Sequence, residues 1–224
     1  MSGTPVRRTW RRIVVFGFRL LYNELAWLYD PVSWVVSMGR WHAWQRTALD
    51  WLPPGGRVLE VGSGPGHLLA DLARAGYQPT GLDLSRAMLR QARRRQAHQG
   101  FGASLCRGDA SALPFGPGTF DAIAVTFPTP YVYEAAWIRQ AKRVLKGKGR
   151  LIIVEMATFR RRDVASQGLE WLYGITGQRG PTLDLADLLN SQGLAARRET
   201  VEVEGTRVAL VVAEKAPRGR QGME

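Results

Sequence analysis

The 224-residue chain has little cysteine, lysine or histidine: one, four and three residues, against 27 arginines. A single cysteine, Cys106, excludes an intramolecular disulfide and a Cys-based zinc site, and no metal is expected. In the apolar stretch Ser104-Leu105-Cys106 it reads as a small buried residue. No uncharged apolar run reaches the roughly 18 residues that a membrane span needs. The N-terminus begins like a signal peptide, with Arg7, Arg8, Arg11 and Arg12 ahead of the apolar run Ile13 to Phe18. Arg19 ends that run, and Asn23-Glu24 stands where a small-residue cleavage site would follow, so the expected location is cytoplasmic.

What is plentiful is positive charge, tryptophan and glycine. The formal charge is +12, which admits nucleic acid, an anionic membrane surface or an acidic substrate as partner, beside a plain solvated arginine shell. Hydrophobic residues make up 45% of the chain, enough for a real core and too many for general disorder. Six of the eight tryptophans (10, 27, 34, 41, 44 and 51) fall in the first 51 residues. Trp10, Val14, Gly17, Leu21, Leu25 and Leu28 step as one stripe of a helix, with Arg8, Arg12, Arg19 and Asn23 on another face. Pro31 is expected to close that helix, and a second aromatic helix to run from Ser33 to Trp51, ending at Pro53-Pro54-Gly55-Gly56.

From Arg57 the pattern becomes alternating strands (57–61, 79–83, 103–107, 120–126, 149–155) and helices (66–75, 86–97, 132–145). Such alternation predicts an α/β fold with a mostly parallel sheet. Ala195 to Val203 and Thr206 to Glu214 read as an antiparallel hairpin turning at Glu204-Gly205. The organisation expected is a helical segment at 1–52, a ligand-binding domain at 53–215 and a disordered tail at 216–224.

The chemistry concentrates at Glu60-Val61-Gly62-Ser63-Gly64-Pro65-Gly66-His67, a buried strand entering a glycine turn that opens a helix. Glycines let a ligand approach the backbone, and free N–H groups at a helix start favour a carboxylate or phosphate. His67 stands where the dinucleotide fingerprint needs Gly or Ala, and the third glycine comes one residue early. Asp83 ends the next strand, where a carboxylate accepts hydrogen bonds from ribose hydroxyls; Ser85 reads as the N-cap of the next helix. Gly108-Asp109-Ala110 places a second acid at the same sheet edge. Together these describe a site for a nucleoside-containing ligand.

These residues, with Asp83-Leu84-Ser85, Met88-Leu89, Gly108 to Phe115, Phe120-Asp121-Ala122-Ile123 and Arg143 to Gly149, resemble class I S-adenosylmethionine-dependent methyltransferases over about residues 57–156. The resemblance implies a Rossmann-like, seven-stranded mostly parallel sheet with an antiparallel last strand and an N-terminal helical lid. It implies S-adenosylmethionine as cofactor, S-adenosylhomocysteine as product, and cofactor contacts at Glu60, Gly62, Ser63, Gly64, Gly66, Asp83, Leu84, Met88, Asp109, Ala110 and Thr126. Tyr29-Asp30, Ser37-Met38-Gly39, His42, Trp44 and Arg46 are similar to the N-terminal segment of ubiquinone and menaquinone biosynthesis C-methyltransferases, and Glu155 fits as well. After the fourth strand that family carries Gly-x-Arg-Asn, whereas this chain has Thr126-Phe127-Pro128-Thr129-Pro130-Tyr131. Pro128 to Tyr131 resembles in outline the Asn/Asp-Pro-Pro-Tyr element of enzymes that methylate base amino groups, without its amide or carboxylate.

The leading expectation is methyl transfer to a small lipophilic acceptor, quinol-like or lipid-like. Candidate bases are Tyr29, His42 and Glu155, whereas His67 reads as a packing or solvent-facing residue. Residues 157–182, with Phe159, Trp171 and Tyr173, would supply another wall. Residues 1–30 suit an anionic membrane surface as well as the domain's own surface or a homodimer partner. Two alternatives stay open: a nucleic-acid methyltransferase using Arg90, Arg93, Arg94, Arg95 and Arg160 to Arg162, or a cofactor-binding protein without turnover.

Overall fold

A computed structural model of the chain describes residues 17, 20, 24–159 and 184–216. Half of the first-helix stripe (Trp10, Val14 and Leu21), Arg160 to Arg162, Trp171, Tyr173 and the tail beyond Ala216 lie outside the described residues.

Seven strands form one sheet in the order β3-β2-β1-β4-β5-β7-β6. They are β1 (Arg57–Val61), β2 (Gln78–Asp83), β3 (Ser104–Arg107), β4 (Phe120–Thr126), β5 (Leu145–Phe159), β6 (Leu194–Val203) and β7 (Thr206–Lys215). The first five run parallel, while β7 inserts antiparallel between β5 and β6. The sheet therefore has the Rossmann-like form with the reversed last strand. The hairpin turns at Glu204-Gly205, both at positive φ.

Period-two alternation sends neighbouring residues of each strand into opposite layers. Leu59, Val61, Ile123, Val125, Leu151 and Ile153 face one core, against Trp137, Ile138 and Ala141 of α5 (Ala135–Val144) and Leu185 and Leu189 of α6 (Leu185–Ser191). Val58, Ala122, Ala124, Ile152 and Val154 face the other, against Leu68 and Leu72 of α3 (His67–Arg74). The helix α6 is absent from the sequence reading, since seven residues flanked by an unassigned stretch give too short a periodic signal. Cys106 is half-buried, because β3 is an edge strand covered on fewer sides than its neighbours.

The N-terminal region differs most from expectation. Pro31 closes no helix; it sits in the first turn of α1 (Tyr29–Ser37), where its missing N–H has no intrahelical partner to lose. The single helix expected over 33–51 is broken at Met38-Gly39. Met38 takes a left-handed conformation, and Gly39, at φ 81°, donates its N–H to the Trp34 carbonyl. The Ser37 hydroxyl then accepts from the Trp41 N–H at 2.9 Å, opening α2 (Trp41–Arg46), which runs into a 3-10 turn over Thr47–Trp51. Trp44 of α2 is completely buried in the second core, and its indole N–H donates to the Thr206 hydroxyl at 2.9 Å. Residues from Trp41 onward are thus built into the sheet's packing.

Candidate functional site

A cavity of about 560 Å³ opens at the carboxyl ends of β1 to β4, where the strand order reverses between β1 and β4. This is the ligand-binding position of open α/β sheets. The glycine turn forms its floor. Gly62, Gly64 and Gly66 all have positive φ, and the Gly62 and Ser63 N–H groups donate to the Leu82 carbonyl, binding the turn to β2. At Gly66 a Cβ would lie 3.1 Å from the Cβ of Ala92 on α4 (Arg86–Gln99), so this glycine sets how closely the turn packs on that helix.

Asp83 stands across the turn. Its Oδ2 accepts from the Gly64 N–H and its Oδ1 from the Ser85 N–H, each at 2.8 Å. Burial raises its pKa, and these two bonds offset only part of that effect. Ser85 caps α4, its hydroxyl accepting from the Met88 N–H at 3.2 Å. Asp109 sits at the rim, held below the usual carboxylate range by bonds from the Ser111 N–H and hydroxyl. Leu84, an exposed apolar side chain, and Ala110 line the wall between the acids.

Beneath the turn lies Glu60, only 1% exposed, with both carboxylate oxygens lacking a partner among the described residues. Burial, and then the charges of Asp83 and Asp71, push its pKa well up. The Ser63 hydroxyl is likewise buried and unpartnered among the described residues. Unsatisfied buried acceptors beside two further carboxylates suit a ligand carrying positive charge.

The opposite wall is aromatic. Phe127, at φ 49° directly after β4, lies 4.3 Å from Trp41 and 6.0 Å from Trp44, centroid to centroid. A bulky residue with positive φ is strained, and here the stack and a Phe127 N–H bond to the Val154 carbonyl hold it. Gln45 donates to the Thr126 hydroxyl at 3.1 Å, and both residues line the cavity with Pro128, Thr129 and Tyr131. Burial and the charge of Asp83 push the Tyr131 hydroxyl far up, so it stays a donor at neutral pH.

Of the three candidate bases, Tyr29 alone lines the cavity. His42 instead meets Asp71 on α3, with Nε2 to Oδ2 at 2.5 Å. Glu155 bonds to Arg198 of β6 at 2.8 Å, which holds it away from the cavity. Of the expected cofactor residues, Gly62, Ser63, Gly64, Asp83, Leu84, Asp109, Ala110 and Thr126 line the cavity. Glu60 and Gly66 support the turn from behind, and Met88 is fully buried, packed with Ala26, Ala87 and the partly buried Tyr29.

His67, expected to be a packing or solvent-facing residue, lines the cavity. Its Nε2 lies 2.9 Å from Asp30 Oδ1, while Asp30 Oδ2 accepts from Arg95 of α4 at 2.7 Å. Arg95 also donates to the Pro65 carbonyl in the glycine turn. Burial opposes ionisation of Asp30, but the bonds and charges of His67 and Arg95 outweigh it and hold its pKa down. Asp30 thereby ties the start of α1 to both sides of the turn. Its partners are 37 and 65 residues away, and no local pattern announces them. Among the described residues no cluster of three or more His, Cys, Asp or Glu side chains is placed to hold a metal ion.

The fold and this site point to a class: residues 58–149 match the family model of methyltransferase domains. The particular relatives are quinone-pathway enzymes. The chain is 36% identical over 141 residues to a demethylmenaquinone methyltransferase of Beutenbergia cavernae, covering 62% of this chain and 57% of that one. It is 35% identical over 164 residues to a ubiquinone/menaquinone biosynthesis C-methyltransferase of a Ruegeria species, covering 69% and 63%. The chain thus spans less than two thirds of the length of either relative. Among solved structures it resembles the YcgJ protein of Bacillus subtilis, with a TM-score of 0.60 at 16% identity, covering 78% of this chain and 98% of that one. It also resembles Haemonchus contortus phosphoethanolamine N-methyltransferase 2, solved with S-adenosyl-L-methionine, with a TM-score of 0.61 at 17% identity, covering 80% and 53%.

Proposed function

We propose that this chain transfers a methyl group from S-adenosylmethionine to a small, apolar, quinol-like acceptor, leaving S-adenosylhomocysteine. The observation that carries this reading is the division of one cavity into two poles. One pole holds the glycine turn and Asp83, with the unpartnered Glu60 behind the turn; the other holds the Trp41–Phe127 stack. The acidic pole suits a cationic nucleoside and the aromatic pole a flat apolar ring.

S-adenosylmethionine, when bound, supplies a methyl group already activated on a sulfonium, so its transfer is an in-line displacement governed mainly by positioning. Asp83 accepts hydrogen bonds from ribose hydroxyls through lone pairs left over from its two backbone bonds. The turn between Gly62 and Gly66 admits the amino-acid part close to the backbone, and Glu60 with Asp83 favours its positive charge. Asp109, Ala110 and Leu84 flank the base. Trp41 and Phe127 orient the acceptor and exclude water. A carbon acceptor must also lose a proton, and His67, its ring held through Nε2 by Asp30, is the cavity residue suited to take it, with Tyr29 beside it. The names of the quinone-methylating relatives support the acceptor class.

The test uses purified full-length chain and radiolabelled methyl donor. Titration calorimetry should record S-adenosylmethionine binding, and label should enter the lipid phase of a membrane extract or a demethylmenaquinol analogue. Label entering RNA instead, or cofactor binding with no transfer to either, refutes the acceptor assignment.

A further inference from the structure

Seven large apolar side chains are exposed among the described residues, and six of them lie between Leu25 and Met38. The seventh is Leu84 in the cavity wall. From Pro31 to Gly39 the chain carries no charge, and Trp34 and Val35 are 65% and 67% exposed. Val32, Trp34 and Val35 are exposed on α1, Met38 is exposed at its C-cap, and Trp27, 68% exposed, stands in the turn that precedes it. Exposed apolar side chains gathered in one short, uncharged segment mark an interaction site. The inward side of the same helix carries Asp30, tied to the glycine turn, and begins at Tyr29 in the cavity wall.

Charge beside the patch selects the partner. Trp27 borders a groove of about 730 Å³ whose other lining includes Arg90, Arg94 and His98, with Glu24 its one acid. Arg90 and Arg94 are exposed and lie on α4, next to Arg95, which is the arginine committed to Asp30. Tryptophan and aliphatic side chains on one surface with arginines at its edge are the pattern of a protein seated in a bilayer interface, where indole sits at headgroup depth and guanidinium meets lipid phosphate.

We propose that the outward face of α1, with Trp27 and the Arg90/Arg94 groove, docks this protein on an anionic lipid bilayer. The cavity, whose wall includes Tyr29 of α1, then lies one helix away from the membrane, a placement that serves an apolar acceptor on the reading proposed above.

Cosedimentation of the full chain with phosphatidylcholine vesicles, with and without phosphatidylglycerol, tests this. Wild type should bind the anionic vesicles, and less so as salt rises. Trp34→Ser with Val35→Ser should weaken binding about tenfold or more, and Arg90→Gln with Arg94→Gln should remove most of the preference for phosphatidylglycerol. None of these four residues lines the cavity, so S-adenosylmethionine affinity should be unchanged, which separates this test from that of the enzymatic reading. The proposal is overturned if wild type ignores anionic vesicles or if the Trp34/Val35 variant binds them equally well. It is also overturned if that variant instead converts a dimer to a monomer in solution, or if the arginine variant loses tRNA binding and keeps vesicle binding.

Discussion

Glu60→Gln is expected to stabilise the ligand-free protein and to weaken its grip on S-adenosylmethionine. In the unfolded chain Glu60 titrates near the ordinary value of 4.5, whereas burial and the Asp83 and Asp71 charges raise it well above that in the fold. Between those two values the folded state keeps a proton that the unfolded state has released. Stability therefore falls as pH rises through that window, by about 1.4 kcal/mol per pH unit. Below the lower value the carboxyl is neutral in both states and the effect vanishes. Glutamine has no such titration, so the gap between variant and wild type should widen from about pH 5 until the folded value is passed, then stay constant. For a chain of this size each kcal/mol moves the melting temperature about 2–4 °C, well within reach of thermal unfolding followed by circular dichroism. Depressed carboxylates such as Asp30 and Asp71 contribute the opposite slope, but they are common to both proteins and cancel in the difference. Binding of a cationic ligand should reverse the order, because it rewards the ionised glutamate that the variant lacks. Parallel melting curves across this range would refute the reasoning, since they would mean that Glu60 is already ionised in the ligand-free fold.

Other consequences are equally direct. Asp83→Ala removes an acceptor for ribose hydroxyls and should weaken S-adenosylmethionine binding about 10–100-fold by calorimetry; an unchanged affinity would move the nucleoside elsewhere. Asp30→Asn breaks partly exposed pairs, so the stability loss should stay near ~1 kcal/mol, while the initial rate of methyl transfer falls because the start of α1 no longer holds its place against His67 and Arg95. Since pairing lowers the pKa of Asp30, its contribution is present at neutral pH and disappears as pH falls through the folded value; Asp30→Asn should lack that acid-side loss in a pH series of unfolding curves. Trp44→Ala should cost about 3–5 kcal/mol in urea unfolding, as expected for a fully buried aromatic ring.

The parts of this molecule that were legible in its sequence are those whose cause is local. The glycine turn, the acid ending β2 and the Ser85 cap all arise from a residue's own backbone freedom or its reach to an N–H two or three positions away. Strands such as β1 and β4 were readable because each is a short, mostly apolar run bounded by turn residues. The N-terminal region misled because composition says helix throughout Ser33 to Trp51, while the break depends on Met38 accepting a left-handed conformation and on the Ser37 hydroxyl accepting from the Trp41 N–H. The site's supporting pairs were illegible for another reason. Asp30 with Arg95, and His42 with Asp71, join residues 65 and 29 positions apart, and nothing in either segment alone names the partner. A histidine that starts a helix reads as a packing or solvent-facing residue, yet the first turn of α3 places His67 in the cavity lining.

The hydrogen bond from Trp44 to Thr206 joins residues 162 positions apart, and Thr206 opens the last strand of the sheet. During synthesis on a ribosome, the glycine turn and β1 to β4 emerge long before that partner exists. The indole of Trp44, and with it the Trp41–Phe127 wall, gains its final support only when β7 slides between β5 and β6. A nascent chain should therefore acquire its nucleoside pole first and its acceptor pole last, which delays a working cavity until the whole sheet has been made.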